Sequence, residues 1–137
     1  MDDLERHLAS LDAVPQRAWE RLAARRIWFG HQSVGFNIIE GVLELLRARP
    51  SIALRVIESD DPRPADGPAL IHARLGANVD PDSKIRGFAE RMDAGIGAWA
   101  DIALFKLCYA DIHAGTDVAA VASRLIGSTD AIARRFP

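Results

Sequence analysis

The sequence predicts an α/β fold, a three-layer sandwich in which helices cover both faces of a parallel sheet. Three short apolar runs, at 26–30, 52–57 and 101–109, alternate with segments whose apolar residues recur at helical spacing. The first run, Arg-Ile-Trp-Phe-Gly, is continuously apolar after its arginine, which is typical of a parallel strand buried on both faces. A strand–helix–strand crossover within one sheet is right-handed in nearly all folds.

Helices are predicted before, between and after these strands, from apolar residues at helical spacing. They cover residues 2–12, 16–25, 38–49 and about 116–135, and another begins near Pro81. Pro50 ends the helix that follows the first strand, because proline has no N–H for the helical ladder. Residues 58–68 are rich in acids and prolines and are expected to form a loop, while 70–73 form a candidate short strand.

The 137 residues are expected to form one domain, 1–137, in which residues 1–25 are an N-terminal helical cap packed against the sheet. Only Phe136 and Pro137 follow the last predicted helix. We therefore expect a domain truncated to about three strands, with the apolar third strand at an open edge of the sheet.

Charge and composition exclude several classes of partner. The 17 Lys and Arg and the 19 Asp and Glu give a formal net charge of −2, which provides no electrostatic attraction to nucleic acid or to an anionic membrane. No window approaches the ~18 apolar residues of a membrane span. The one cysteine, Cys108, excludes an internal disulfide, and the N-terminus lacks the basic start and apolar run of a signal peptide. A cytoplasmic protein is expected.

Ser33, in the block Gly-His-Gln-Ser-Val-Gly, is the best candidate for chemistry. It follows the first strand, and open α/β sheets bind ligands beyond the carboxyl ends of their strands. Backbone N–H groups at the start of the next helix could stabilise an oxyanion there. On spacing alone the better-supported alternative is that Ser33 simply caps the helix. His31 is a candidate base, although two residues around a tight turn need not bring their side chains together.

Other polar residues are expected at the same edge of the sheet. Asn78 could donate its amide to an oxyanion, or it could be a turn residue. Asp111 and His113 follow the third strand, where Asp111 could orient a base, bind a ligand or cap a turn. His7 and His72 show no metal-ligand spacing with any cysteine or acid, so neither a metal nor another cofactor is expected.

Three blocks taken in order resemble one branch of the SGNH/GDSL hydrolase superfamily. They are I-W-F-G-H-Q-S-V-G at 27–35, G-A-N-V-D-P at 76–81 and K-L-C-Y-A-D at 106–111. In that branch a Gly-His-Gln-Ser-Val-Gly block replaces the usual Gly-Asp-Ser, and the resemblance spans about 19–137. It implies a flavodoxin-like sheet.

The resemblance also implies an activity and roles for individual residues. Ser33 would be the nucleophile, and the oxyanion would be bound by Gly35 or a nearby backbone N–H together with Gly76 and Asn78. The other residues at the rim of the site would be Gln32, Asp111 and His113. Members act as esterases, lipases or carbohydrate deacetylases, so the expected substrate is a small-molecule ester or an acetylated carbohydrate.

The catalytic Asp and His of the superfamily lie near the C-terminus of its members, and neither Asp111 nor His113 matches their block. A serine without its base is a poor nucleophile, so the chain is expected to be a hydrolase fragment with little activity unless a partner chain complements it. A second hypothesis is a non-catalytic domain, such as a homo-oligomer, that docks through the third-strand edge. A third is phosphate or nucleotide binding at the turn 30–35, which lacks the glycine spacing and lysine of a P-loop.

Overall fold

The computed structural model of the chain describes residues 3–63 and 65–137. It confirms the predicted fold class: a four-stranded, all-parallel sheet lies between helices in a flavodoxin-like α/β/α arrangement. The strands are β1 (Arg26–His31), β2 (Val56–Glu58), β3 (Ala69–Arg74) and β4 (Ile102–Phe105), in the sheet order β2-β3-β1-β4. The helices are α1 (Asp3–Leu11), α2 (Gln16–Ala23), α3 (Val34–Ala48), α4 (Pro81–Arg91), α5 (Gly97–Trp99) and α6 (Val118–Arg135). A single π turn, Met92–Ile96, joins α4 to α5.

The central strand β1 pairs with β3 on one side and with β4 on the other. Its side chains alternate between the two faces of the sheet. Phe29 packs in one cluster with Ile39 of α3, and Trp28 packs in the other with Phe88 of α4 and Ile132 of α6. Because helices cover both faces of the sheet, the side chains of β1 lie in an apolar environment whichever face they point to. This explains the uninterrupted apolar run.

The candidate strand at 70–73 is β3, a full six-residue strand next to β1, so the sheet has four strands and the expected count of about three is too low. Ile71 and Ala73 lie in the cluster under α4, and Leu70 lies in the cluster under α3. His72 interrupts the apolar pattern of this segment, and the structure buries its ring.

Both outer strands are shorter than predicted. Of the run 52–57, only its last two residues belong to β2, which starts at Val56 and pairs with β3 alone. Ile52 is buried without joining the ladder. Of the run 101–109, only Ile102–Phe105 forms β4, because its partner strand β1 ends and turns into α3. Burial outside the ladder accounts for Ile52 in the first run, whereas Ile102 and Leu104 of the second run remain exposed on the outer strand.

Helices α1 and α2 lie in the region predicted as the N-terminal cap, although residues 1 and 2 of that cap and the start of the predicted helix 2–12 lie outside the described residues. Leu22 of α2 packs against the cluster between β1 and α3. An ion pair between Arg49 and Asp12 and a hydrogen bond from Gln16 Nε2 to the carbonyl of Ser51 (3.2 Å) attach the two helices to the loop after α3.

Candidate functional site

The carboxyl ends of β1 and β3 lie side by side at the point where the connections that leave these two strands run in opposite directions across the sheet. The helix after β1 packs on one face and the helix after β3 packs on the other, so the two connections diverge and leave a crevice between them. Open α/β folds bind their ligands at such a switch point. The backbone N–H of Leu75 donates to the carbonyl of His31 (2.9 Å), which holds the two strand ends together.

Ser33 lies in a strained turn at this crevice. The N–H of Gly35 donates to the carbonyl of Gln32 (2.9 Å), which closes a four-residue turn with Ser33 at its second position. Ser33 has φ 47° and ψ −110°, close to the values of that position in a type II′ turn, which glycine normally occupies. A non-glycine residue held in such a conformation is strained by roughly 1–3 kcal/mol.

The side chain of Ser33 is exposed and makes no capping hydrogen bond to α3. The alternative that Ser33 only caps the helix therefore lacks the bond on which a serine cap depends. The hydroxyl stands at the N-terminus of a 15-residue helix, where the macrodipole favours negative charge.

Gly35 occupies a position where only glycine fits. A Cβ built on it would lie 2.3 Å from the Cβ of His31 and 2.5 Å from its Nδ1. Its own N–H is engaged by Gln32, as described above. Among the described residues no hydrogen bond engages the N–H of Val34, the residue that follows the serine. This N–H is an available backbone donor of the turn, as is that of Ser33, for which no hydrogen bond is found among the described residues either.

The loop between β3 and α4 is tied to the serine turn by Gln32, whose Nε2 donates to the carbonyl of Gly76 (2.7 Å). Gly76 has φ +61°, and a Cβ there would lie 2.7 Å from the backbone N of Lys84. The side chain of Asp80 accepts the N–H of Ser83 (3.0 Å) and caps α4. The predicted site residues Gln32, Ser33 and Gly76 therefore belong to adjacent loops.

Lys84 and Asp111 form an ion pair at the base of these loops, with both side chains 0% exposed. The Nζ of Lys84 lies 2.6 Å from Oδ2 of Asp111 and 3.2 Å from Oδ1 of the exposed Asn78. Asp111 also accepts the backbone N–H groups of Val79 (2.9 Å) and Cys108 (2.6 Å). Burial acts to raise the pKa of Asp111, but the hydrogen bond from Lys84 and those from the backbone outweigh it and hold the pKa below its ordinary value.

His31 does not contact Ser33. Its ring is completely buried beneath the start of α3, against Phe36, and its Nε2 lies 3.0 Å from Nδ1 of His72. Burial lowers the pKa of His31, and the nearby His72 lowers it further. Burial also lowers the pKa of His72, although the carboxylate of Glu58 partly opposes this. Both shifts favour the neutral rings, one of which donates to the other, and among the described residues Nδ1 of His31 is buried without a hydrogen-bond partner.

His113 lies in its own exposed turn after the third predicted strand. Its Nδ1 accepts the N–H of Gly115 (3.2 Å), and its backbone N–H donates to Thr116 Oγ1 (3.0 Å). Within residues 3–63 and 65–137 no hydrogen bond joins Ser33 to His31, to His113 or to a carboxylate. The described loops hold a serine and candidate oxyanion donors, and no base is positioned on the serine.

Sequence reasoning missed three members of the site. The sequence pattern singles out neither Lys84 nor the backbone N–H of Val34, and it presents His72 only as a possible metal ligand. Lys84 and His72 each depend on a contact between distant segments: Lys84 with Asp111 across 27 residues, and His72 with His31 across 41. Only the strand-to-helix turn itself, which places Val34 after the serine, has a local signal.

A cavity of about 460 Å³ opens beside the loop, bordered by Gly76, Ser83, Leu75 and Arg74 among others. A larger cavity of about 630 Å³ lies at the opposite end of the sheet, next to Arg26 and Asp101 at the amino ends of β1 and β4. The smaller cavity adjoins the β3–α4 loop at Gly76, but neither Ser33 nor Asn78 borders it.

No protein family, no curated protein and no solved structure matches the chain. Within the part of the chain that the structure describes, no group of three or more His, Cys, Asp or Glu side chains could hold a metal ion. No helix of that part is long and apolar enough to cross a membrane, and a cytoplasmic location stays a prediction. The geometry of the site is therefore the basis for a functional proposal.

The buried histidine pair predicts a pH-dependent stability. A histidine whose pKa is lowered in the native state binds fewer protons folded than unfolded, so its contribution is complete above its unfolded pKa of about 6.5 and is lost as the pH falls toward the lowered native value. Between about pH 7.5 and about pH 5.5 the free energy of unfolding, measured by urea titration, should fall by at most ~1.4 kcal/mol per pH unit for each histidine.

Two variants separate this effect from other titrations. His72→Gln removes one of the two neutral rings and should flatten the pH dependence, whereas Glu58→Gln removes the carboxylate that opposes the lowering of the pKa of His72 and should not flatten it. A parent protein whose stability is constant over this pH range would contradict the neutral buried pair, and so would equal slopes in the parent and in both variants.

Proposed function

We propose that the chain carries the acyl-transfer site of a serine ester hydrolase, with Ser33 as its nucleophile. The observation that supports this most is the strained, exposed conformation of Ser33 at the switch point of the sheet. Strain at a non-glycine residue persists only where the surrounding structure enforces it, and such residues cluster at active sites. A sharp, strained strand-to-helix turn is also how α/β hydrolases expose their nucleophilic serine.

The proposed reaction begins with attack of Ser33 Oγ on the carbonyl carbon of an ester. The C–O bond of the leaving alcohol then breaks, and an acyl-serine remains that water hydrolyses. The negative oxygen of the tetrahedral intermediate would be bound by the N–H of Val34 and the side-chain amide of Asn78, two donors of the kind that form oxyanion holes. Asn78 is one of the oxyanion residues that the resemblance to SGNH hydrolases implies, whereas Val34 takes the place of Gly35, whose own N–H donates to Gln32, and Gly76 has no part in this proposal.

The serine proton has no positioned acceptor among the described residues, so it would pass to water or to a small external base. Acyl transfer is therefore expected to be slow in this chain alone, because an unassisted serine is weakly nucleophilic near neutral pH. Complementation by a partner chain that brings a histidine to Ser33 would accelerate it, and this remains part of the proposal.

The substrate is proposed to be a small-molecule ester or an acetylated carbohydrate. Two apolar side chains on the loops of the site are largely exposed, Val79 at 61% and Tyr109 at 81%. The N–H of Val79 donates to the carboxylate of Asp111, which lies two residues after Tyr109. Val79 and Tyr109 therefore lie on the same rim of the site. An exposed aromatic ring there offers a flat surface for an apolar alcohol or a sugar ring.

A fluorophosphonate probe tests the proposed nucleophile. Intact-mass measurement should show one slowly formed adduct on the parent protein and none on Ser33→Ala, because the probe phosphonylates an accessible, reactive serine. Added imidazole should accelerate labelling of the parent, since it supplies the base that the turn lacks. Folded protein without an adduct even with imidazole, or an adduct that persists in Ser33→Ala, would rule out Ser33 as the nucleophile.

A second candidate function is self-association through the outer edge of β4. This strand pairs only with β1, so the backbone groups of its outer edge have no partner strand in the described sheet. Ile102 and Leu104, on the face that α3 covers elsewhere, are 42% and 43% exposed. An apolar edge strand of this kind readily pairs with the same strand of a second copy.

Sedimentation at increasing protein concentration tests this second function. We expect a concentration-dependent dimer that Leu104→Lys abolishes, because a charge on the edge opposes strand pairing. Ile126→Lys, at an exposed position of α6, is the matched control and should dimerise like the parent. A parent that stays monomeric at high concentration would contradict self-association through β4.

A further inference from the structure

The ion pair between Lys84 and Asp111 is an unusual use of the interior. Removing two charges from water is unfavourable, and proteins with well-packed apolar residues at such sites are often as stable or more so. Both side chains are nevertheless completely buried, at 0% exposure. A pair of this kind is weak support for a purely stabilising role, and the contacts it makes beyond the pair indicate another one.

Lys84 fixes which way the side-chain amide of Asn78 faces. An ammonium group only donates hydrogen bonds, so the atom of Asn78 at 3.2 Å from Nζ has to be the carbonyl oxygen Oδ1. The NH₂ end of the same amide is thereby left as a donor on the exposed side of the loop. Without Lys84 either end of the amide could face the site, and only the NH₂ end can stabilise an oxyanion.

Asp111 fixes where this assembly lies relative to Ser33. Its carboxylate joins Lys84 to the backbone N–H groups of Val79 and Cys108, so it connects the β3–α4 loop with the segment after β4. Cys108 in turn places its Sγ 3.6 Å from the carbonyl of Gln32, the residue before the nucleophile. The chain of contacts therefore runs from the amide of Asn78 to the serine turn.

We propose that Lys84 is a positioning residue, which Asp111 holds in place and which orients the Asn78 amide as an oxyanion donor beside Ser33. The role rests on the proposed function, because it concerns the same site. It does not require Lys84 to touch the substrate or to transfer a proton.

The orientation is measured directly by the side-chain amide signals of Asn78 in a ¹⁵N–¹H spectrum, assigned by their loss in Asn78→Asp. In the parent we expect these signals away from the positions of a free asparagine amide. In Lys84→Met they should return toward those positions, and in Arg86→Met, which removes an exposed cation of the same helix, they should not move. Free-amide positions in the parent, or signals that Lys84→Met leaves unchanged, would overturn the proposal.

Lys84→Met leaves Asp111 buried without its charged partner, so the variant could fail to fold. Asn78→Ala changes an exposed side chain and provides the reverse measurement in a folded protein. A buried, hydrogen-bonded ammonium exchanges its protons slowly, and the Lys84 NH₃⁺ signal should shift in Asn78→Ala. A Lys84 signal that is identical in the parent and in Asn78→Ala would contradict the contact on which the proposal depends.

The consequence for catalysis is measured by a double-mutant cycle on the rate of fluorophosphonate labelling. Asn78→Ala should slow labelling by roughly 100- to 1,000-fold, the range for loss of one oxyanion donor. Lys84→Met should slow labelling by a similar factor when it is introduced into the parent, and it should cause no further slowing in Asn78→Ala. General damage to the fold would slow labelling in both proteins. If the parent is not labelled but its Asn78 amide signals change in Lys84→Met, the proposed function is refuted and the positioning role of Lys84 is supported. Labelling with additive effects would refute the positioning alone.

Discussion

The turn between β1 and α3 constrains the rest of the site, because it holds Ser33 in a backbone conformation that a serine does not adopt freely. Two features enforce it. Leu75 and Gln32 connect the turn to β3 and to the following loop, and the ring of His31 packs so closely on Gly35 that α3 has to begin directly above it. The strain of one residue is thus balanced by packing and hydrogen bonds in several elements.

The loops around the turn form one connected polar network. The carboxylate of Asp111 joins the β3–α4 loop to the segment after β4, and Lys84 neutralises that carboxylate in the interior. A buried network is stable only when all its members are satisfied, so a change at one loop is transmitted to the others. Because the strands are parallel, the loops that follow them all lie at the carboxyl ends of the sheet. A small domain can therefore bring residues from several loops into one site.

The fold and the serine turn were predictable from the sequence because their signals are local. A continuous apolar run that ends in glycine indicates a buried strand, and the helical stripe after it indicates the crossover. The strand β3 is harder to predict, because the polar His72 interrupts its apolar pattern and no local signal indicates the contact with His31. Lys84 could not have been identified, because a lysine near a helix start is usually solvated and only its contact with Asp111 reveals its burial. The lengths of the outer strands also depend on partner strands, and no local pattern encodes where a partner ends.

The strain at Ser33 is the central claim, and the stability of Ser33→Gly measures it most directly. Glycine adopts positive φ without a steric penalty, so relief of strain should make Ser33→Gly more stable than the parent by about 1 kcal/mol in urea titrations, even though the nucleophile is lost. At an ordinary helix cap the order is reversed, because glycine there is a few tenths of a kcal/mol less favourable than serine. A parent that is more stable than Ser33→Gly would contradict the strained turn and, with it, the main structural support for a nucleophile at this position.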